Sequence, residues 1–172
     1  MKIFIMRHGE AANAAGEDSL RPLTKHGAYE AQKMGHWLAD SKLAMIGVFV
    51  SPYVRAQQTC THITEALSKA SLLVNTEITT LDFITPSGKA PQLHDYIDGL
   101  LQGGFDMTQE QGVSDNQGIM FVSHMPFVSY LVGELTGSSN MPIFATGAIA
   151  VIDYDVKQMH GQFVTMISPQ DI

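Results

Sequence analysis

The chain has 172 residues, 45% of them hydrophobic and 16% charged, with a formal net charge of −7 at pH 7. That length and balance fit a single domain over 1–172 with enough apolar material for a sizeable core. They exclude a general nucleic-acid binder, which needs a basic footprint, and the apolar runs are too short to span a membrane. The opening residues lack the basic, apolar and small-residue pattern of a secretory leader. Cys60 is the only cysteine, which leaves no internal disulfide and no thiolate metal cluster, so a reduced, cytoplasmic setting is expected.

In chain order, residues 2–6 (KIFIM) have the length and β-branched content of a buried strand. That strand ends directly in Arg7-His8-Gly9-Glu10. Gly9 supplies a turn, but a turn does not need an arginine and a histidine beside it. Residues 24–40 predict a first helix with Ala28, Ala31, Gly35 and Leu38 on one face, small enough to pack closely on a sheet. A second strand is expected at 46–50 (IGVFV). After Ser51, Pro52 fits the first position of a second helix, whose seam is Ala56, Cys60, Ile63, Leu67 and Ala70. Cys60 thus reads as a small core residue and not as a nucleophile.

A third strand is expected at 72–78 and a third helix over 89–102. Residues 103–118 are polar and Gly-rich and read as a long surface loop. The acids Asp95, Asp98, Asp106, Glu110 and Asp115 around it read as a solvated face. A strand at 119–123 ends in Ser123-His124. The helix after Pro126 turns Val128, Leu131, Val132 and Leu135 inward and ends near Gly137. Strands at 148–153 and 162–167 close the chain. The expected fold class is α/β, a three-layer α/β/α sandwich with a mostly parallel central sheet that allows an antiparallel edge.

Three strand-to-helix junctions carry the unusual residues: Arg7-His8, Ser51-Pro52 leading to Arg55, and Ser123-His124. In open α/β sheets, ligands bind beyond the carboxyl ends of the strands, so these junctions can meet at one rim. The chain has ten basic residues but only three arginines, Arg7, Arg21 and Arg55, each in a distinctive string. Arginine is the residue suited to a planar, bidentate grip on phosphate or carboxylate. Arg21 could reach the same rim or simply pair with Glu17 or Asp18. His26, His36, His62, His94 and His160 have no supporting context and read as structural or surface residues. A metal site on His8 and His124 is disfavoured, because neither has a third ligand in zinc-like spacing and the nearby arginines repel a cation.

The strings MRHGE, RPLTKHG, SPYVRAQQT and VSHMP, in that order, resemble the histidine phosphatase superfamily, and most of all its small bacterial SixA-type branch. The resemblance covers essentially the whole chain. It implies a phosphoglycerate mutase-like fold and a hydrolase that needs no cofactor and no metal. His8 would be the catalytic nucleophile that takes a phosphoryl group. Arg7 and Arg55 would clamp the phosphate oxygens, His124 would donate to them, and Arg21 would be a further phosphate ligand. The wider family often has an asparagine seven positions after the first arginine. Here that position is Ala14, with Asn13 one place short, so that role is not carried over.

The implied substrate is phosphohistidine on another protein, either a histidine-containing phosphotransfer domain or a phosphocarrier. Nearby arginines would hold His8 neutral and nucleophilic. Imidazole leaves with a pKa of ~6.5 and needs less protonation than an alkoxide. The only candidate acid after the third strand is Asp82, which also reads as a turn or capping residue, and Glu10 reads as part of the motif. A small-molecule phosphomonoesterase or mutase-like enzyme using Asp82 remains an alternative, as does a non-catalytic phosphate-recognition module.

Overall fold

The apolar runs at the start of the chain and at 119–123 pair at the centre of one sheet in the computed structural model, which describes residues 1–13, 16–73, 76–104, 116–139 and 141–172. The strands are β1 (Lys2–Arg7), β2 (Ala44–Val50), β3 (Ile78–Thr80), β4 (Gln117–Ser123), β5 (Ile149–Asp155) and β6 (His160–Ile167), in the order β3-β2-β4-β1-β5-β6. The first four in that order are parallel, and β5 is antiparallel to both β1 and β6. Side chains of successive strand residues point to opposite faces, so a strand buried on both sides must be apolar throughout. Ile3 and Ile5 of β1 enter one core with Leu93 and Ile97 of α3 (Ala90–Gly99) and Val128 and Leu131 of α4 (Phe127–Thr136). Phe4 and Met6 enter the other, with Met34 and Leu38 of α1 (Lys25–Asp40) and Cys60 and Ile63 of α2 (Val54–Lys69). The two cores make the expected three layers around a mostly parallel sheet.

Cys60 sits in the α2 seam, and burial pushes its thiol pKa up to about 12, as suits a core residue. Gly137 closes α4 in the left-handed conformation with φ of 60°. Among the described residues, no helix is long and apolar enough to cross a membrane.

Several boundaries differ from expectation. Pro52 is not the first residue of α2, because the Ser51 N–H is still bonded to the Val122 carbonyl of the sheet at 3.0 Å. The chain bends through Pro52 before the helix can start at Val54. Ala70 falls past the end of α2 and is exposed. The small face of α1 serves a neighbouring helix more than the sheet: a Cβ on Gly35 would lie 3.1 Å from the Ala66 Cβ of α2. The third strand lies later than 72–78 and is short. Leu73 makes only an isolated bridge to Met45, while Ile78–Thr80 pairs with β2 as an edge strand. Helix α3 ends at Gly99 and passes into a wider turn over Leu100–Gly104. Most of the expected 103–118 loop lies outside the described residues, as do Ala14, Asp106, Glu110 and Asp115, and Gln117 and Gly118 already belong to β4.

Gly9 has a stricter task than turning the chain. A Cβ there would sit 2.4 Å from the Gly27 carbonyl oxygen, and one on Gly27 would sit 2.1 Å from that of Glu10. The loop leaving β1 and the first turn of α1 therefore touch backbone to backbone, which fixes where His8 stands. Gly27→Ala should force them apart and cost roughly 1–3 kcal/mol, as overpacking does. Urea denaturation checks this, and a variant as stable as wild type would show that the contact is dispensable.

Candidate active site

Strands β2, β4 and β1 are neighbours, and each delivers part of the site from its carboxyl end. Arg7 ends β1 and pairs in register with Ser123, so His8 and His124 leave the sheet side by side, their ring centroids 5.0 Å apart. Ser51 follows β2, and Arg55 lies in the first turn of α2. The site is thus made by the sheet's register before any side chain is placed.

Hydrogen bonds decide the tautomer of His8. Its Nδ1 lies 2.6 Å from the Gly9 carbonyl oxygen, which can only accept, so Nδ1 carries the proton. Its Nε2 then holds a lone pair and accepts the Nε–H of Arg55 at 3.1 Å. Burial, together with Arg55, Arg7 and Arg21, lowers the His8 pKa to about 4 against the raising pull of the Gly9 carbonyl. The ring is neutral at pH 7. Gly9 is itself pinned, since its N–H donates to Thr59 Oγ1 at 3.1 Å and that hydroxyl donates to the Arg55 carbonyl at 2.7 Å. The Glu10 N–H donates to Glu30 Oε2 at 2.7 Å, and the Thr24 hydroxyl, which caps α1, reaches Glu10 Oε1 at 2.7 Å. The Glu10 carboxylate is therefore engaged with the start of α1.

His124 is buried, and its Nε2 lies 2.7 Å from Ser51 Oγ. Its Nδ1 is buried without a hydrogen-bond partner among the described residues. Burial first, then His8 and the arginines, lowers its pKa to about 3, with Asp18 opposing. A neutral ring holds one proton. If the Ser51 hydroxyl donates to Nε2, that proton sits on Nδ1, ready for an anion. Tyr53 packs between the two elements, its ring 4.8 Å from that of His124 and 4.9 Å from the Arg55 guanidinium carbon.

The three arginines converge, each through a main-chain carbonyl. Arg7 Nη1 donates to Phe144 at 2.7 Å, Arg55 Nη1 to Asp18 at 2.6 Å, and Arg21 Nε to Ala12 at 2.8 Å. The Nε of Arg7 is a second buried donor without a partner among the described residues. Burial lowers the Arg7 pKa, and Glu30 offsets this. Arg21 does not touch His8. It joins the cluster through Asp18, whose carboxylate bonds Arg21 Nη1 and Arg55 Nη2, both at 2.9 Å. Those two bonds hold the Asp18 carboxyl below the usual range.

All five residues singled out in the sequence, Arg7, His8, Arg21, Arg55 and His124, are brought together. Asp82 is not. It is exposed in the turn after β3 and forms no hydrogen bond or ion pair with the described residues. Tyr53, Thr59, Glu30 and the bridging role of Asp18 escaped sequence reasoning, and Ser51 stood out only as a junction residue, without its bond to His124. Among the others, only the adjacency of Tyr53 to Arg55 gave any signal. Of the five other histidines, His94 on α3 meets Tyr154 at 2.9 Å and Glu134 at 3.3 Å away from this rim, and exposed His26 lies 3.5 Å from Glu30.

The lowered histidine pKa values have a testable consequence. In the unfolded chain a histidine titrates near ~6.5, so between that pH and about 4 the unfolded state binds more protons than the folded one. The stabilisation from a neutral His8 is complete above pH ~6.5 and is lost as the pH falls through about 4. Imidazole nitrogen shifts recorded from pH 8 to 5 should show His8 and His124 neutral throughout. A midpoint near ~6.5 for either ring would contradict the site's electrostatics.

The chain has counterparts among known proteins. The family model described as histidine phosphatase superfamily (branch 1) matches residues 3–92. The phosphohistidine phosphatase SixA of Escherichia coli (strain K12) is 36% identical over 169 residues, covering 98% of this chain and 94% of that protein. A phosphohistidine phosphatase SixA homolog of Haemophilus influenzae is 34% identical over 160 residues, covering 90% of this chain and 89% of its own. The solved structure of the protein histidine phosphatase SixA complexed with tungstate superposes with a TM-score of 0.84 at 34% identity, covering 99% of both chains. With matching strings, fold and full-length relatives, this chain belongs to the histidine phosphatase superfamily.

Proposed function

We propose that this protein is a phosphohistidine phosphatase that acts without a metal through a phosphorylated His8. The observation that carries the reading is the state of His8: neutral, its tautomer set by Gly9, and its Nε2 lone pair turned to Arg55. In the first step Nε2 attacks phosphorus and the bond to the substrate's imidazole nitrogen breaks. The electron pair leaves with that imidazole, which takes a proton from solvent. The Arg55 Nε–H that covers the lone pair at rest is released to a phosphate oxygen as Nε2 attacks, while the Nη1 bond to the Asp18 carbonyl keeps the guanidinium in place. Water then attacks phosphorus, the bond to Nε2 breaks, and inorganic phosphate leaves. Arg7, Arg55 and Arg21 balance the charge on the phosphoryl oxygens, and His124 Nδ1 and Arg7 Nε offer buried donors to them. Tungstate, bound in the solved structure of the related phosphatase, is a tetrahedral oxyanion of the kind this cluster suits.

The leaving group selects the substrate. Asp82 is exposed to water without a hydrogen bond to the described residues. Glu10 is bonded to Thr24 and the Asp18 carboxyl is held ionised by Arg21 and Arg55, so neither is placed to protonate an alkoxide. Imidazole departs without that help. A phosphohistidine on a protein, in a histidine-containing phosphotransfer domain or a phosphocarrier, fits the rim as well. Leu20, two residues from Asp18, and Ile143, beside Phe144, are exposed apolar side chains next to the groups that hold the arginines. A protein partner covers such side chains, whereas a small phosphate ester leaves them in water.

The test is a panel of phosphohistidine-bearing carriers and alkyl phosphomonoesters, assayed with and without chelator, for wild type and Asp82→Asn. Carriers should be strongly preferred, chelator should change nothing, and Asp82→Asn should lose less than ~10-fold on the carriers, well under the ~10²–10⁴-fold that a general acid contributes. Preference for alkyl esters, or a hundredfold loss in Asp82→Asn, would make this a phosphomonoesterase with an acid.

A further inference from the structure

The Asp18 carboxylate occupies the donors that an incoming phosphate would use. It takes Arg55 Nη2 and Arg21 Nη1, both at 2.9 Å, in an otherwise cationic cluster. It is not needed to hold either arginine. Arg55 is anchored by His8 Nε2 and by the main-chain carbonyl of Asp18, and Arg21 by the carbonyl of Ala12. Those anchors stay when the carboxylate moves. The Asp18 side chain is 54% exposed on a single short turn, Asp18–Leu20, so it can swing into water at little cost, whereas Arg55 is 5% exposed and fixed.

We infer that Asp18 is a resident, displaceable anion that competes with phosphate for Arg55 and Arg21. It acts as a specificity-determining residue that weakens binding of free inorganic phosphate relative to phosphate carried on a protein. A free phosphate must break both carboxylate contacts, and even after Asp18 swings outward its short turn keeps the negative charge close to the bound anion. A phosphoryl group on a protein brings further contacts to offset that cost. The product of hydrolysis does not, so it is expelled. The inference rests on reading this pocket as a phosphate site.

Calorimetric titration of inorganic phosphate into wild type, Asp18→Asn, Asp18→Ala and Asp18→Glu tests it directly. Removing the charge in Asp18→Asn and Asp18→Ala should tighten phosphate binding by about tenfold, and Asp18→Glu should bind as wild type does. If the carboxylate were instead a strut for the arginines, Asp18→Asn and Asp18→Ala would bind phosphate more weakly. That result, unchanged binding, or tightening in Asp18→Glu as well would overturn the inference. Hydrolysis of phosphohistidine is a separate assay, so failure there would strike the proposed substrate and leave this comparison intact.

Discussion

The hydrogen bond from the Arg55 Nε–H to His8 Nε2 can form only if the ring is neutral and its proton is on Nδ1. The Gly9 carbonyl places that proton, and the close passage of Gly9 against Gly27 places Gly9. Around this pair the molecule arranges its remaining commitments. Thr59 ties the loop after β1 to the turn of α2 that bears Arg55, so histidine and arginine move as one unit. The pairing of β1 with β4 carries His124 alongside, and Ser51 at the end of β2 holds it there.

Gathering arginines around a buried histidine is costly in a low-dielectric setting, and the fold offsets that cost without neutralising the site. Main-chain carbonyls of Ala12, Asp18 and Phe144 each accept from an arginine, giving dipoles in place of full charges. The buried carboxylate of Glu30 takes the Glu10 N–H and the Thr146 hydroxyl and opposes the effect of burial on Arg7. The positive face left over suits an oxyanion. In a chain with a net charge of −7, this concentration is local and not a property of the surface at large.

Much of this was legible in the sequence because the functional residues sit at element boundaries, where periodicity stops and a departure from turn chemistry stands out. Arg7-His8 and Ser123-His124 each follow an apolar run, and register alone brings such ends together in a parallel sheet. The supporting residues left no such mark. Glu30 lies on the buried face of α1 among small residues, and its partners Glu10 and Thr146 are far away in sequence. Thr59 reads as an ordinary helical position until Gly9 is seen against it. Asp18 could be read as a partner of Arg21, as it is, but its second bond to Arg55 depends on how a short turn lies over α2. The misplaced third strand has a similar origin: apolar residues at 72–73 pack at the sheet edge and make only an isolated bridge to Met45, and continuous pairing with β2 begins only at Ile78.

The proposed chemistry turns on one nitrogen atom. With Nδ1 committed to Gly9, only Nε2 of His8 is free to take a phosphoryl group. The decisive measurement is to trap the phosphorylated protein with a phosphohistidine donor and locate the phosphorus by mass spectrometry and heteronuclear NMR. An acid-labile phosphoryl group on Nε2 of His8 is the expected result. Phosphate on Nδ1, or on any other residue, would contradict it.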